Sequence, residues 1–118
     1  MKYLALIHSS DERWAALPDE ERQSIYAAYR EFADSARASG KLVDGAELQP
    51  ASTATTVRVR GDETVVTDGP FAEMREQIGG YFLLECDSED EAVALAAQIP
   101  AARHGTIEVR AHYEDEQP

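Results

Sequence analysis

Hydrophobic residues recur in short runs that predict six strands. Two runs, Tyr3–Ile7 and Tyr81–Cys86, are almost continuously apolar, which is typical of strands covered on both faces. Thr56–Arg60 alternates apolar with polar residues, Gly61-Asp62 then turns the chain, and Thr64–Thr67 returns it, which predicts a β-hairpin. The six predicted strands are Tyr3–Ile7, Lys41–Leu48, Thr56–Arg60, Thr64–Thr67, Tyr81–Cys86 and Thr106–Arg110.

Two further segments carry apolar residues at helical spacing. The first begins at Pro18, has three acids in its first turn and ends at Gly40, which suits a helix C-terminus. The second begins at the capping box Ser88–Glu91 and ends before Pro100. The stripes are Ile25, Tyr29, Phe32 and Ala36 in the first helix, and Ala92, Leu95, Ala96 and Ile99 in the second. A short helical turn carrying Trp14 is expected between Asp11 and Leu17.

The order of these elements predicts an α+β fold. Without the added hairpin strand, the chain has the ferredoxin-like order βαββαβ. Two helices cover one face of such a sheet, yet Tyr3–Ile7 and Tyr81–Cys86 are apolar on both faces. A second copy of the sheet would cover the other face, so we expect a homodimer built on the outward faces of these two strands.

Length and charge narrow the possible partners. The 118 residues suit one domain, assigned to residues 1–112, with an acidic tail at residues 113–118. The net charge of −12 repels phosphate backbones and anionic lipid, so neither nucleic acid nor membrane is an expected partner.

The lone Cys86 excludes an internal disulfide and is expected to be a buried thiol. No signal-peptide pattern or long apolar run is present, and we expect a cytoplasmic protein.

The loop that follows the hairpin is longer than a plain hairpin requires. Asp68 can accept bonds from the backbone N–H groups of Gly69–Glu73, Gly69 permits a positive φ, and Pro70 fixes the next φ. In the structural interpretation Phe71 is then a core anchor. In the functional interpretation Asp68 and Glu73 lie at the mouth of a pocket. We expect Glu76 and Gln77 to be surface residues of a helical turn before Gly79.

This loop resembles the signature of the DGPF proteins in the YCII-related superfamily. The resemblance extends from Met1 to Arg110 and is most specific in the loop. The residues that carry it are Val66-Thr67-Asp68-Gly69-Pro70-Phe71-Ala72-Glu73, Glu76-Gln77, Gly79-Gly80, Met1–Ile7, Thr55–Arg60 and Ile107–Arg110.

The resemblance implies a dimeric α/β barrel, in which two ferredoxin-like units pack sheet to sheet. It also implies small-molecule chemistry, because a His–Asp pair is the proposed site of YCII-like proteins and lactone isomerases and dehydrochlorinases share the fold. Tyr29 occupies the helix position of the family's His, which puts His–Asp chemistry in doubt here. Proteins similar to the DGPF type are often encoded beside extracytoplasmic-function sigma factors, which makes a non-catalytic module acting with a sigma factor the alternative.

The candidate catalytic residues are His8, Tyr29 and Asp68, with Glu73 and Phe71 as candidate ligand contacts. We expect them to converge in a cleft between sheet and helices, where His8 or Asp68 is the general base and Tyr29 stabilises an oxyanion. Isomerisation or elimination on a small lactone or keto acid suits such a set. His8 and Tyr29 also have purely structural interpretations. His8 would be a surface residue at a strand end, and Tyr29 a core residue whose hydroxyl is hydrogen-bonded.

No cofactor or metal is expected. The chain has neither a Walker motif nor a GxGxxG segment after a strand, and its histidines lack metal-ligand spacing. The sequence does not exclude a weak metal site shared by His8 and Asp68. His104 is assigned to a turn and His112 to the tail.

Overall fold

A computed structural model describes residues 1–114 and contains six strands and three α-helices. The six predicted strands and both long predicted helices are confirmed, and Asp11–Ala16 forms the short helix expected near Trp14. The elements are β1 (Lys2–Ser9), α1 (Asp11–Ala16), α2 (Asp19–Ala38), β2 (Leu42–Glu47), β3 (Thr55–Arg60), β4 (Glu63–Asp68), β5 (Gln77–Glu85), α3 (Glu89–Ala96) and β6 (Thr106–Ala111), with 3₁₀ turns at Ala51–Thr53 and Pro100–Arg103. Of the acidic tail, residues 115–118 lie outside the described part.

Four of the strands form one antiparallel sheet in the order β2-β5-β1-β6. This is the ferredoxin-like arrangement, and it confirms the predicted α+β fold. The hairpin strands β3 and β4 form a separate two-stranded sheet. The insertion between β2 and β5 therefore lies outside the main sheet.

The long helix α2 has well-defined ends. Pro18 precedes it as the N-cap, and three acids follow in the first turn, where the helix dipole favours negative charge. At the other end Gly40 adopts a φ of 76°. Its N–H donates to Arg37 O at 3.0 Å, and the N–H of Lys41 donates to Ala36 O at 2.9 Å. These two bonds form a Schellman motif, which is why a glycine is required at this position.

The capping of α3 differs in one bond from the predicted capping box. Glu91 N–H donates to Ser88 Oγ at 3.2 Å, as expected. The Glu91 carboxylate, however, accepts from the N–H of Asp87 at 3.0 Å and from Lys41 Nζ at 2.8 Å. The same side chain thus caps α3 and ties it to the segment before β2.

The hydrophobic core lies between the sheet and the helices. Tyr3, Ala5 and Ile7 of β1 are buried, as are Leu84 of β5 and Phe32 of α2. Side chains alternate between the two faces of a strand, so the residues between these point away from the helices. On this open face Leu4 and Leu6 pair with Leu83 and Tyr81, and all four are half-buried. No helix within residues 1–114 covers it.

The hairpin projects from the rest of the fold. We call residues 55–68, comprising β3, β4 and their turn, the arm. The chain measures 47 × 44 × 18 Å and has a radius of gyration of 16.2 Å, against about 13 Å for a compact domain of this size. The thin dimension accommodates only two layers. No helix within the described residues is both long and apolar enough to cross a membrane.

Candidate functional site

A histidine–carboxylate pair lies on the open face of the sheet. His8, near the end of β1, pairs with Thr106 of β6 and faces the same side as Leu4 and Leu6. Its Nε2 lies 3.0 Å from Oε1 of Glu108. The His8 side chain is 22% exposed and that of Glu108 is 48% exposed, so both remain accessible from solvent.

This pair lines an open cavity with a volume of about 590 Å³. Residues of three segments meet there: the end of β1, the loop before β5, and β6. Thr106 Oγ1 donates to Glu76 Oε1 at 3.2 Å, which connects the loop to β6. The lining residues are His8, Met74, Arg75, Glu76, Thr106 and Glu108.

Among the residues that line this cavity, Arg75 is the only lysine or arginine. Within residues 1–114 its guanidinium takes part in no hydrogen bond and no ion pair. The carboxylates beside it are already engaged, Glu108 by His8 and Glu76 by Thr106. The guanidinium is therefore available to an anionic group of a ligand.

Glycines shape the sheet around His8. The register of β1 and β5 shifts between Ile7 and His8, where Gly80 and Ile78 are the successive partners and Gly79 is left as the extra residue of a bulge. On the other side a Cβ on Gly105 would lie 2.2 Å from the carbonyl oxygen of His8. Only a glycine allows this turn to approach the strand end so closely.

Tyr29 lies on the opposite side of the sheet from His8. Its ring packs against Phe82 at a centroid distance of 6.3 Å, and Phe82 packs against Phe32 in the core. Burial raises the pKa of the Tyr29 hydroxyl. The prediction that Tyr29 and His8 meet in one cleft is wrong, because the helices cover one face of the sheet and His8 projects from the other.

The Asp68 turn is held by other groups than we expected. Gly69 has the predicted positive φ, 95°. Its N–H donates to Ala54 O and its carbonyl accepts from Thr56 Oγ1, both at 2.7 Å. The Asp68 carboxylate is exposed and accepts no hydrogen bond from the described residues, so its predicted role as the turn's acceptor is wrong. The pairing of β3 with β4 extends to Asp68, and the start of β3 therefore anchors the turn.

Phe71 is not the predicted core anchor. Its side chain is 79% exposed. Glu73 is exposed as well, and neither residue lines the cavity. The predicted helical turn at Glu76-Gln77 is also wrong: β5 begins at Gln77, and Glu76 contributes to the cavity wall.

Sequence reasoning missed Arg75, Thr106 and Glu108. A usable signal existed for Glu108, because a ferredoxin-like sheet pairs β1 with β6 and Thr106, Glu108 and Arg110 alternate on one face. That pairing would have placed Glu108 beside His8. The position of Arg75 depends on the loop conformation, for which the sequence offered no comparable signal.

Elsewhere, an apolar cavity of about 370 Å³ lies between α3 and β6. Its lining residues are Val93, Ala96, Ala97, Ala102, Ile107 and Val109, and none of them titrates. In residues 1–114 no three His, Cys, Asp or Glu side chains are grouped as metal ligands. Cys86 is buried, and burial raises the pKa of its thiol, which agrees with the expected structural role.

Comparison with known proteins identifies relatives over nearly the whole chain. The family model of the YCII-related domain matches residues 1–114. An uncharacterized protein of Rhizobium meliloti (strain 1021) is 35% identical over 116 residues, covering 93% of this chain and 90% of that protein. A solved structure of 5-chloro-2-hydroxyhydroquinone dehydrochlorinase (TftG) from Burkholderia phenoliruptrix AC1100, in complex with 2,5-dihydroxybenzoquinone, is similar over 98% of this chain and 97% of that chain. Its TM-score is 0.57 and its sequence identity 15%, so this likeness concerns the fold.

Proposed function

The chain belongs to the YCII-related domain family, and we propose that it is a cofactor-independent lyase or isomerase acting on a small carbonyl or lactone compound at the His8 cavity. One observation carries this proposal: an accessible histidine paired with a carboxylate at 3.0 Å on the wall of a cavity. Histidine is the side chain most often used for proton transfer near neutral pH.

In this proposal His8 is the general base and Glu108 is the residue that positions it. An ionised carboxylate only accepts hydrogen bonds, so the contact with Glu108 places a proton on Nε2. The lone pair of Nδ1 is then free to take a proton from the substrate. Glu108 also stabilises the imidazolium that forms, as a carboxylate paired with a catalytic histidine does in other enzymes.

The proton would come from carbon next to the substrate carbonyl. The C–H bond breaks, the proton moves to His8 Nδ1, and the electron pair moves onto the carbonyl oxygen as an enolate. The unpaired guanidinium of Arg75 supplies the positive charge that this oxyanion needs. Return of the proton at another atom completes an isomerisation, and loss of a leaving group completes an elimination.

The fold neighbour supports this choice of reaction class. Its name describes removal of hydrogen chloride from a hydroxylated ring compound, which is an elimination. Tyr29 takes no part in this reaction, since the sheet separates it from His8. Phe71 and Glu73 lie exposed just before the segment that lines the cavity, where they would contact a ligand at the cavity mouth. Asp68 also lies outside the cavity wall, and no proton transfer is assigned to it.

The proposal includes a homodimer formed through the open face. Leu4, Leu6, Tyr81 and Leu83 form an apolar patch on that face, and a second sheet would bury it at a separation of about 10 Å. Sedimentation velocity at micromolar concentration is expected to give a dimer. A stable monomer under these conditions would contradict this part of the proposal.

A thermal-shift screen of small carbonyl compounds tests the site. Any compound that binds the folded chain raises its apparent stability, and 2,5-dihydroxybenzoquinone is a suitable first probe. We expect His8→Gln to weaken the shift given by a binding compound and Tyr29→Phe to leave it unchanged. If no carbonyl compound binds and the protein instead co-purifies with a sigma factor, the chain is a binding module and the enzymatic proposal fails.

A further inference from the structure

We propose that the arm is a dimerisation element, and that the valine face of each arm packs against a second copy of this chain. The valine face consists of Val57, Val59 and Val66. This inference rests on the dimer proposed above and adds a specific contact surface to it. It is independent of the chemistry at His8.

The alternation of the two arm strands creates the valine face. Val57 pairs directly with Val66, and Val59 lies on the same side. These side chains are 60%, 61% and 59% exposed, respectively. The opposite side of the arm carries Arg58, Arg60 and other polar residues, with Val65 as its one large apolar side chain. The arm therefore has an apolar face and a polar face, although neither is covered.

Apolar exposure is concentrated around this arm. Of the thirteen large apolar side chains that are exposed in residues 1–114, seven lie between Val57 and Ile78. An isolated two-stranded hairpin is only marginally stable in water. A long, exposed hairpin with one apolar face is therefore expected to need a partner surface.

The area of the open face supports a second copy as that partner. Four strands about 4.8 Å apart and six to nine residues long give the sheet a footprint of roughly 460 Å², whereas a stable interface buries about 800 Å² on each partner. The flat footprint of the sheet face alone therefore falls well short of this area. Two arm strands of six residues add roughly 200 Å² of footprint per copy, and the accessible area of a side-chain surface exceeds its flat footprint.

Charge also favours association through apolar contact. Two copies that each carry −12 repel one another, so the attraction must come from buried apolar surface. Salt screens this repulsion, and the dimer is expected to tighten as ionic strength rises. A basic partner would show the reverse dependence, because salt would weaken its attraction to the acidic chain.

A matched pair of substitutions tests the arm. Val66→Thr and Val65→Thr make the same chemical change at adjacent positions of β4, on opposite faces. Threonine keeps the branched shape and the preference for strands. Because each substitution occurs twice in a symmetric dimer, we expect Val66→Thr to raise the dimer Kd by about tenfold or more, equivalent to at least about 1.4 kcal/mol. Val65→Thr is expected to leave the Kd within about threefold of the wild-type value.

Sedimentation velocity over a concentration series gives the Kd of each variant. Equal effects of the two substitutions would mean that threonine weakens the hairpin itself, and this would overturn the inference. A wild-type dimer that Val66→Thr leaves unchanged would overturn the role of the arm while preserving the dimer through the open face. A monomeric wild type would overturn both.

Discussion

The contrast between two phenylalanines gives the most direct test of the fold. Phe71 is 79% exposed, so only about a fifth of its surface is out of water. Full burial of a Phe side chain stabilises a protein by up to about 3 kcal/mol, and Phe71→Ala should therefore lower the free energy of unfolding by about 0.6 kcal/mol. Phe32 is 7% exposed and packs on Phe82 at a centroid distance of 5.1 Å. Its replacement by Ala leaves a cavity and should cost about 3–5 kcal/mol.

Urea unfolding followed by circular dichroism measures both values. One ring is a small part of the surface exposed on unfolding, so the slope of free energy against urea should stay close to the wild-type value in both variants while the midpoints differ. The comparison is made at several protein concentrations, because association would add stability that depends on concentration. A concentration-independent loss above about 2 kcal/mol for Phe71→Ala would show that its ring is packed within its own chain, which would refute the exposed loop.

Three further predictions concern single positions. The Lys41 ammonium and the Asp87 N–H hold the pKa of Glu91 below its usual range. The stability that ionised Glu91 contributes should therefore be present above about pH 4.3 and lost as the pH falls through the lowered pKa. The acid limb of a stability–pH curve should be flatter for Glu91→Gln than for the wild type. Gly105→Ala should cost about 1–3 kcal/mol in urea unfolding, because its Cβ would overlap a carbonyl oxygen, and a neutral result would contradict the close approach. Cys86 should react with a thiol reagent only when the chain unfolds, as its burial and raised pKa require.

Much of the fold was predictable because its signals are local. The stripe from Ile25 to Ala36 fixed the buried face of α2, and Gly40 marked its end through a backbone conformation that favours glycine. The order of strands and helices then selected the ferredoxin-like sheet. Each of these inferences depends on residues close together in sequence.

The site was less predictable because it depends on which face of a strand each residue occupies. His8 and Tyr29 are both plausible catalytic residues in the sequence, but the alternation of β1 places His8 on the side away from α2. Phe71 also differs from its prediction: a large aromatic residue in a rigid loop suggests a core anchor, yet its side chain is 79% exposed. Glu108 could be placed beside His8 only from the pairing of β1 with β6, because the two residues are about one hundred positions apart in sequence.

Deuterium exchange into a substrate tests the central claim, proton transfer by His8, most directly. A carbonyl compound that raises the melting temperature is incubated with the protein in D₂O, and loss of its α-proton signal is followed by ¹H NMR. The account predicts enzyme-dependent exchange that His8→Gln slows by about 100-fold or more, the usual contribution of a general base, while Tyr29→Phe exchanges at nearly the wild-type rate. Exchange that survives His8→Gln, or that is lost in Tyr29→Phe, would contradict it.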